Sequence, residues 1–435
     1  MREHYLQLDE TRVASVRRRL LTLDFDVYFL LAAVVLCAVG LLMVYSASIS
    51  ASYLATDDSS TTYFFNRHLR NLVIGLIFMG GLMAIDYRIW RRYSLLIMLL
   101  TITSLLIVLG FGQERLAAQR SLFRGSIQPG EFAKLAVVLY MAAWLASRQK
   151  RLKQITYGLL PFSFLVGATC VLIISQPDLS TAASIGATTL TMFFLAGADW
   201  LQLGAIGAGA MGFGYVLATQ ITYARTRIDQ HLDAIRDLTK ANDHVQASVE
   251  AFLNGNLFGV GLGEGTQKFG RLPFPHTDSI FAVIGEELGL VGSLGVLALF
   301  VILVYRGFII ARSAPDTFGS LLAAGVCLWI AYDAMLNIAV MTALVPPTGV
   351  PLPFISFGGS SLVTAMAGVG LVLSVSRQAS RITPPNRDKA GMILNLDVPE
   401  DMVEVEEDDS VETDSVGGRY RRGHISRVSR RRQDS

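Results

Sequence analysis

Residues 268–289, KFGRLPFPHTDSIFAVIGEELG, pass from a proline-broken polar loop straight into a very apolar segment, and that transition marks the edge of a membrane. Pro273 and Pro275 deny a helix to residues 272–275, because proline lacks an N–H and restricts the residue before it. The chain is expected to arrive extended at His276, with Thr277 or Asp278 capping a helix that begins near Ser279. If that helix enters a bilayer, Asp278 sits at the water boundary beside Lys268, Arg271 and His276, as a carboxylate whose basicity its surroundings can tune. The competing reading is a plain helix cap, since Thr-Asp before an apolar run is more often a cap than a catalyst.

Outward from this stretch, the chain of 435 residues is 52% hydrophobic and only 17% charged, and its charge-free runs are too long for a soluble core. An all-α, polytopic membrane protein follows. Set against the roughly 20 residues needed to cross a bilayer, ten runs stand out, near 27–48, 69–86, 93–112, 128–147, 156–175, 179–198, 200–220, 279–308, 317–344 and 358–376. The second is the weakest, because Arg70 and Asp86 both have to lie at its interfaces. A net charge of +2 argues against a polyanionic partner such as nucleic acid. The cysteines, Cys37, Cys170 and Cys327, all lie inside apolar runs, which suits reduced packing residues and neither disulfides nor a metal site.

Arg17, Arg18 and Arg19 precede the first span, which follows a polar lead too long for the n-region of a cleaved signal, so segment 1–26 is expected in the cytoplasm. Ten crossings return the C-terminus to the same side. Arg88, Arg91, Arg92, Arg148, Lys150, Arg151, Lys153, Arg306 and Arg312 fall in the connections this topology puts inside. The membrane domain is then 27–376, with one long outside loop at 221–278. The tail 377–435 carries an acidic block and then an arginine-rich end, the composition of a disordered segment.

Several polar groups fall where a membrane should not tolerate them. Too few uncharged residues separate Lys134 from Arg148 to cross, so the fourth helix must start near Gln128, drawing Glu131 and Lys134 onto one face three residues apart. Asp333 and Asn337 lie four apart inside the ninth span and should face the protein interior. Glu286 and Glu287 lie about two turns into the eighth. In the long loop, GNLFGVGLGEG at 255–265 permits close backbone approach to a ligand, with phosphate cradling only weakly signalled. The run VPPTGVPLPFISFGGSS at 345–361 survives at membrane depth only if it is buried in protein or lines a cavity. One outward-facing polar cavity collects these features, Asp333 and Asn337 excepted; its supporting candidates include Gln128, Asp178, His276, Ser356, Gly358, Gly359 and Ser360.

The motifs GLLMVYSAS (40–48), QPGEFAK (128–134), QPDLS (176–180), the loop-to-helix stretch 257–289 and PPTGVPLPFISFGGSS (346–361) together resemble the SEDS family (shape, elongation, division and sporulation), the bacterial peptidoglycan polymerases of RodA and FtsW type. The resemblance covers residues 26–376. It implies ten transmembrane helices, an outward cavity in the bacterial cytoplasmic membrane, and glycosyl transfer from a lipid-linked precursor, lipid II, with the aspartate of the HTD motif, Asp278, essential. Departures are modest: Gly130, Ser121, Ser180, Ser279, Asp333 and Ala339 each replace a residue that is usual in the family.

The implied chemistry needs one base, for which Asp278 is placed, and cations to neutralise a departing prenyl pyrophosphate. Lys268, Arg271, Arg120 and Lys134 are the candidates, with or without a divalent ion, Mg or Mn, on Glu131 or Asp278, and no organic cofactor. The resemblance also implies a class B penicillin-binding protein and other membrane proteins of the division or elongation machinery as partners. Two other classes stay open at this point: a transporter that flips the same lipid, and a scaffold of the division machinery.

Overall fold

A computed structural model describes residues 24–56, 59–111, 113–115, 118–121, 128–220, 225–227, 229–232 and 243–382. Each expected span appears as a helix: α1 Val27–Ala55, α2 Tyr63–Ala84, α3 Tyr87–Phe111, α4 Pro129–Arg148, α5 Leu160–Ile174 behind a π-turn at Ile155–Leu159, α6 Leu179–Leu195 and α7 Trp200–Gln220. After the helix α8, Asp243–Gly255, in the long loop come α9 Ile280–Ser313, α10 Thr317–Met341 and α11 Gly359–Ile382. Seven of these helices are long and apolar enough to cross a membrane by length and composition. The one departure from an all-helical fold among the described residues is a short antiparallel hairpin, β1 Gln113–Arg115 with β2 Ala118–Ser121. The expected tail lies outside the described residues from 383 onward, while 377–382 belongs to α11.

Helix starts follow from side chains that take up otherwise orphaned amides. The Asp26 carboxylate accepts from Phe29 N at 2.9 Å, Asp178 from Thr181 N at 3.2 Å and Asp316 from Gly319 N at 2.8 Å. Pro129 opens α4, where the missing N–H costs nothing and φ is already helical. The second span is longer than its apolar run suggested: α2 begins at Tyr63 and takes Arg67 and Arg70 into its first turns.

The buried core is continuous through α1, α4, α9, α10 and α11. There α10 packs against α9 and α4, and α2 runs along α11. Gly40 lets α1 touch the proline-rich run, since a Cβ there would lie 2.5 Å from Phe354 O. At one end of the bundle Arg306 pairs with Asp26, while Tyr87 donates to Asp316 at 2.6 Å. The other end gathers the segments that carry the unusual polar residues.

The long loop enters that end. Its helix α8 runs in the same sense as the first turns of α9, with His244 beside Ser279 and Gly255 beside Gly285. The chain then turns beside a kink in α9 at Gly289 (φ 69°, ψ −166°), where Val260 N donates to Glu286 O at 3.0 Å, Leu290 N to Asn256 O at 2.9 Å and Val291 N to Leu257 O at 3.1 Å. The broken helix and the glycine-rich turn thus satisfy each other's main chain, the condition for irregular backbone at this depth.

Candidate active site

The expected extended arrival at His276 is not what forms. Phe274 adopts a left-handed φ of 50°, and its carbonyl accepts from Thr277 N at 3.0 Å and Ser279 N at 3.4 Å, closing a compact turn. The prolines exclude helix here without enforcing extension, because they fix only their own φ and bias their predecessors. Nor does Asp278 cap the helix: α9 starts at Ile280, with Ser279 at the cap position. The Ser279 hydroxyl instead donates to Pro273 O at 2.6 Å and lies 2.7 Å from His244 Nε2.

Asp278 is half-buried, and its peptide neighbourhood is held from two elements. Asn337 Nδ2 of α10 donates to Asp278 O and to Val350 O, both at 2.8 Å. Ser356 Oγ donates to Thr277 O at 2.7 Å and accepts from Leu352 N at 2.8 Å. Phe357 N donates to His276 O at 2.8 Å. The proline-rich run therefore clasps the HTD turn by main-chain hydrogen bonds, which explains how a charge-free but irregular segment is tolerated there.

One helical turn along α10 from Asn337, about 6 Å, lies a buried charge network. Lys134 Nζ is 2.9 Å from Glu131 Oε1, as the three-residue spacing predicts, and also 2.9 Å from Asp333 Oδ2. Asp333 further accepts from Ser184 Oγ at 2.6 Å and Trp329 Nε1 at 2.7 Å. Asp333 and Asn337 thus belong to the same end as the other polar motifs, which corrects the exception made for them. Apolar periodicity showed that they face inward, but only packing shows which neighbour they meet. Two carboxylates share one ammonium, and Glu131 Oε2 is buried with no partner.

Other expected site residues are used differently. Lys268 is buried, with its ammonium 2.7 Å from Glu287 Oε1, 2.9 Å from Ser46 Oγ and 2.7 Å from Gly263 O. Its three donors are filled, so it is not open to a pyrophosphate. Glu286 accepts from Thr266 N at 2.9 Å and Gln267 N at 3.2 Å, and Glu287 from Gly263 N at 3.1 Å, so both glutamates anchor the returning loop to α9. Part of the glycine run packs on that helix: a Cβ at Gly255 would meet Gly285 O at 1.9 Å, and one at Gly259 would meet Glu287 O at 2.1 Å.

Asp178 caps α6 and accepts from Ser180 Oγ at 3.0 Å and Thr181 Oγ1 at 3.0 Å. The main-chain N–H of Gln128 donates to Ser360 Oγ at 2.9 Å, tying the start of α4 to that of α11. Gly358 precedes α11, and a Cβ at Gly359 would lie 3.0 Å from Asn71 Nδ2. The His276 ring packs 4.5 Å from Phe64 and 5.7 Å from Phe357, and burial pushes its pKa down to about 4, so it is neutral near pH 7. Arg271 is exposed and pairs with Glu250 Oε2 at 2.8 Å. Arg120 lies in β2, and its side chain is outside the described residues. Asp333, Asn337 and His244 are positions that sequence reasoning did not assign to the site; Asp333 and Asn337 carried a signal, polar groups deep in an apolar run.

The fold and site define a polytopic helical membrane protein that gathers ionised side chains and an irregular, clasped loop at one end of its bundle. The chain matches the model of the FtsW/RodA/SpoVE family of cell cycle proteins over residues 27–381 and belongs to that family. Stage V sporulation protein E of Bacillus subtilis is 40% identical over 360 residues, spanning 81% of this chain and 97% of that protein. The probable peptidoglycan glycosyltransferase FtsW of Trichlorobacter lovleyi is 37% identical over 357 residues, spanning 81% and 93%. Among solved structures, a chain of a peptidoglycan synthase complex that coordinates polymerization and crosslinking superposes with a TM-score of 0.66 at 26% identity, covering 82% of this chain and 99% of that one.

Proposed function

We infer that the chain is a peptidoglycan glycosyltransferase that joins lipid II units into glycan strands, with Asp278 as the general base. The names of its FtsW relatives and the polymerization carried out by the synthase complex support the activity. The observation that carries the residue assignment is the holding of Asp278: its carbonyl is fixed by Asn337 and the preceding carbonyl by Ser356, so two separate elements set the place of this one half-buried carboxylate at the start of α9.

In the reaction, the Asp278 carboxylate takes the proton of the acceptor sugar's 4-hydroxyl as that oxygen attacks the donor's anomeric carbon. The bond from that carbon to the prenyl pyrophosphate breaks, and the leaving group departs with the electron pair. A single displacement converts an α-linked donor into a β-linked glycan and needs no covalent nucleophile. Arg271, exposed and near the HTD turn in sequence, and Arg120 are the cations for the pyrophosphate. In the Glu131–Lys134–Asp333 network the Lys134 ammonium is taken up by two carboxylates, so it is not open to the pyrophosphate, and the network orders the α4–α10 wall. Carboxylate oxygens at Glu131, whose Oε2 is buried without a partner, and at Asp278 are the groups that would hold Mg or Mn, with substrate phosphates completing the shell. Such an ion, when bound, adds charge neutralisation at the leaving group.

The site faces outward and both termini lie in the cytoplasm, a placement supported by the arginine clusters before and between the spans. A class B penicillin-binding protein, a transpeptidase, is the partner, which the likeness to a synthase complex supports. The test is polymerisation of purified lipid II by the purified protein, with and without that partner. Wild type is expected to make polymer, and Asp278→Asn to make almost none at unchanged thermal stability. Near wild-type polymer from Asp278→Asn would remove Asp278 as the base and direct attention to Glu131.

A further inference from the structure

Helix α8 is fixed to α9 at both of its ends. At the far end, Gly255 lies directly on the backbone of Gly285, so the two helices touch without intervening side chains. At the near end, His244 Nε2 lies 2.7 Å from the hydroxyl of the fully buried Ser279, the residue immediately after Asp278. A serine hydroxyl has one hydrogen, and the contact to Pro273 O at 2.6 Å takes it, because a carbonyl can only accept. Ser279 Oγ must then accept from His244, which fixes the imidazole as the tautomer with its proton on Nε2. Burial, and secondarily Arg227, lowers the His244 pKa, which keeps that neutral form at physiological pH.

We propose that His244 is a positioning residue for Asp278, acting through the Ser279 hydroxyl. The Asp278 peptide is held on its carbonyl side by Asn337. Its successor is held by the relay His244 Nε2–H to Ser279 Oγ to Pro273 O. Together these contacts brace the Asp278 backbone from both sides, so the direction in which its carboxylate leaves the main chain is set partly by a helix of the long loop. Ser279 stands at the cap position of α9 and yet makes no cap bond, so its hydroxyl serves this relay and not the helix start. Docking of α8 and correct aim of Asp278 are thereby one event. The proposal rests on the reading of Asp278 as general base.

The experiment measures kcat and KM for lipid II polymerisation, with thermal stability, in the full-length protein for His244→Ala, Ser279→Ala, the double variant, His244→Gln and Asp278→Asn. Each single alanine variant is expected to lower kcat by about tenfold with KM nearly unchanged, because misaim of a reacting group weakens the chemical step and not binding. The double variant should lose no more than either single one. His244→Gln, whose amide can still donate to Ser279 Oγ, should recover most of the rate. Ser279→Ala removes one oxygen and leaves the His244 ring and the Gly255–Gly285 contact in place, so it stays decisive if His244→Ala lowers the melting temperature. Wild-type kcat in both alanine variants, multiplicative losses in the double variant, or a glutamine variant as slow as alanine would each overturn the positioning role. If these variants keep wild-type rates while Asp278→Asn is inactive, only the positioning role falls; an active Asp278→Asn removes the base and the positioning role together.

Discussion

Asn337 Nδ2 lies 2.8 Å from the main-chain oxygen of Asp278, and with its second hydrogen the same nitrogen reaches Val350 O. A single buried amide of α10 thus ties the HTD turn to the proline-rich run. Asn337→Leu keeps approximate volume and leaves two carbonyls without a donor, so it should cost about 2–4 kcal/mol of stability. Polymer yield should fall with it, because the Asp278 carbonyl loses its donor on α10. Thermal unfolding in detergent and lipid II polymerisation on one preparation check both; unchanged stability would mean that water replaces the amide.

The buried trio of Glu131, Lys134 and Asp333 gives an asymmetric prediction. Lys134→Met leaves two carboxylates facing each other and should destabilise by about 3–5 kcal/mol, whereas Asp333→Asn leaves a one-to-one pair and should cost less. Glu131→Gln and Lys134→Met should each impair activity, and a double-mutant cycle on them should show strong non-additivity. Independent losses would mean that the two side chains act separately on substrate.

Lys268 and Arg271 are three residues apart, yet they should separate in kinetics. Lys268→Met strips the cation from buried Glu287, so its effect is expected as a loss of about 3 kcal/mol or more in stability. Arg271→Ala removes an exposed pair and should cost less than about 1 kcal/mol, with its main effect on the rate or KM with lipid II. An Arg271→Ala protein with unaltered kinetics would exclude it from the leaving-group site.

His276 makes stability depend on pH with a definite sign. Its folded pKa, pushed down to about 4 by burial, lies below that of an unfolded histidine. Between the two values the unfolded chain binds more protons, so stability falls as pH drops from about 6.5 to about 4, by roughly 3 kcal/mol at most. Above that window the group contributes no slope, and below it the penalty is complete. In detergent, His276→Gln should flatten the acid side of the melting-temperature profile; a slope identical to wild type would assign it to other groups.

The sequence by itself determined the helical membrane class, the approximate places of its apolar helices, the Glu131–Lys134 pair and the singular character of the HTD stretch. Those features are local: long apolar runs, three-residue spacing on a helix and prolines that exclude it. Only the tertiary structure decided which polar groups are filled and which stay open. Lys268 and Arg271 look alike in sequence, but one is consumed by Glu287, Ser46 and Gly263, and the other stands at the surface. Asp333 meets Lys134 across 199 positions of chain, and Asn337 meets Asp278 across 59, pairings set by how α10 packs on α4 and α9. The glycine run, which permits close backbone approach, closes on the α9 backbone where the kink at Gly289 frees main-chain groups that the returning loop then satisfies.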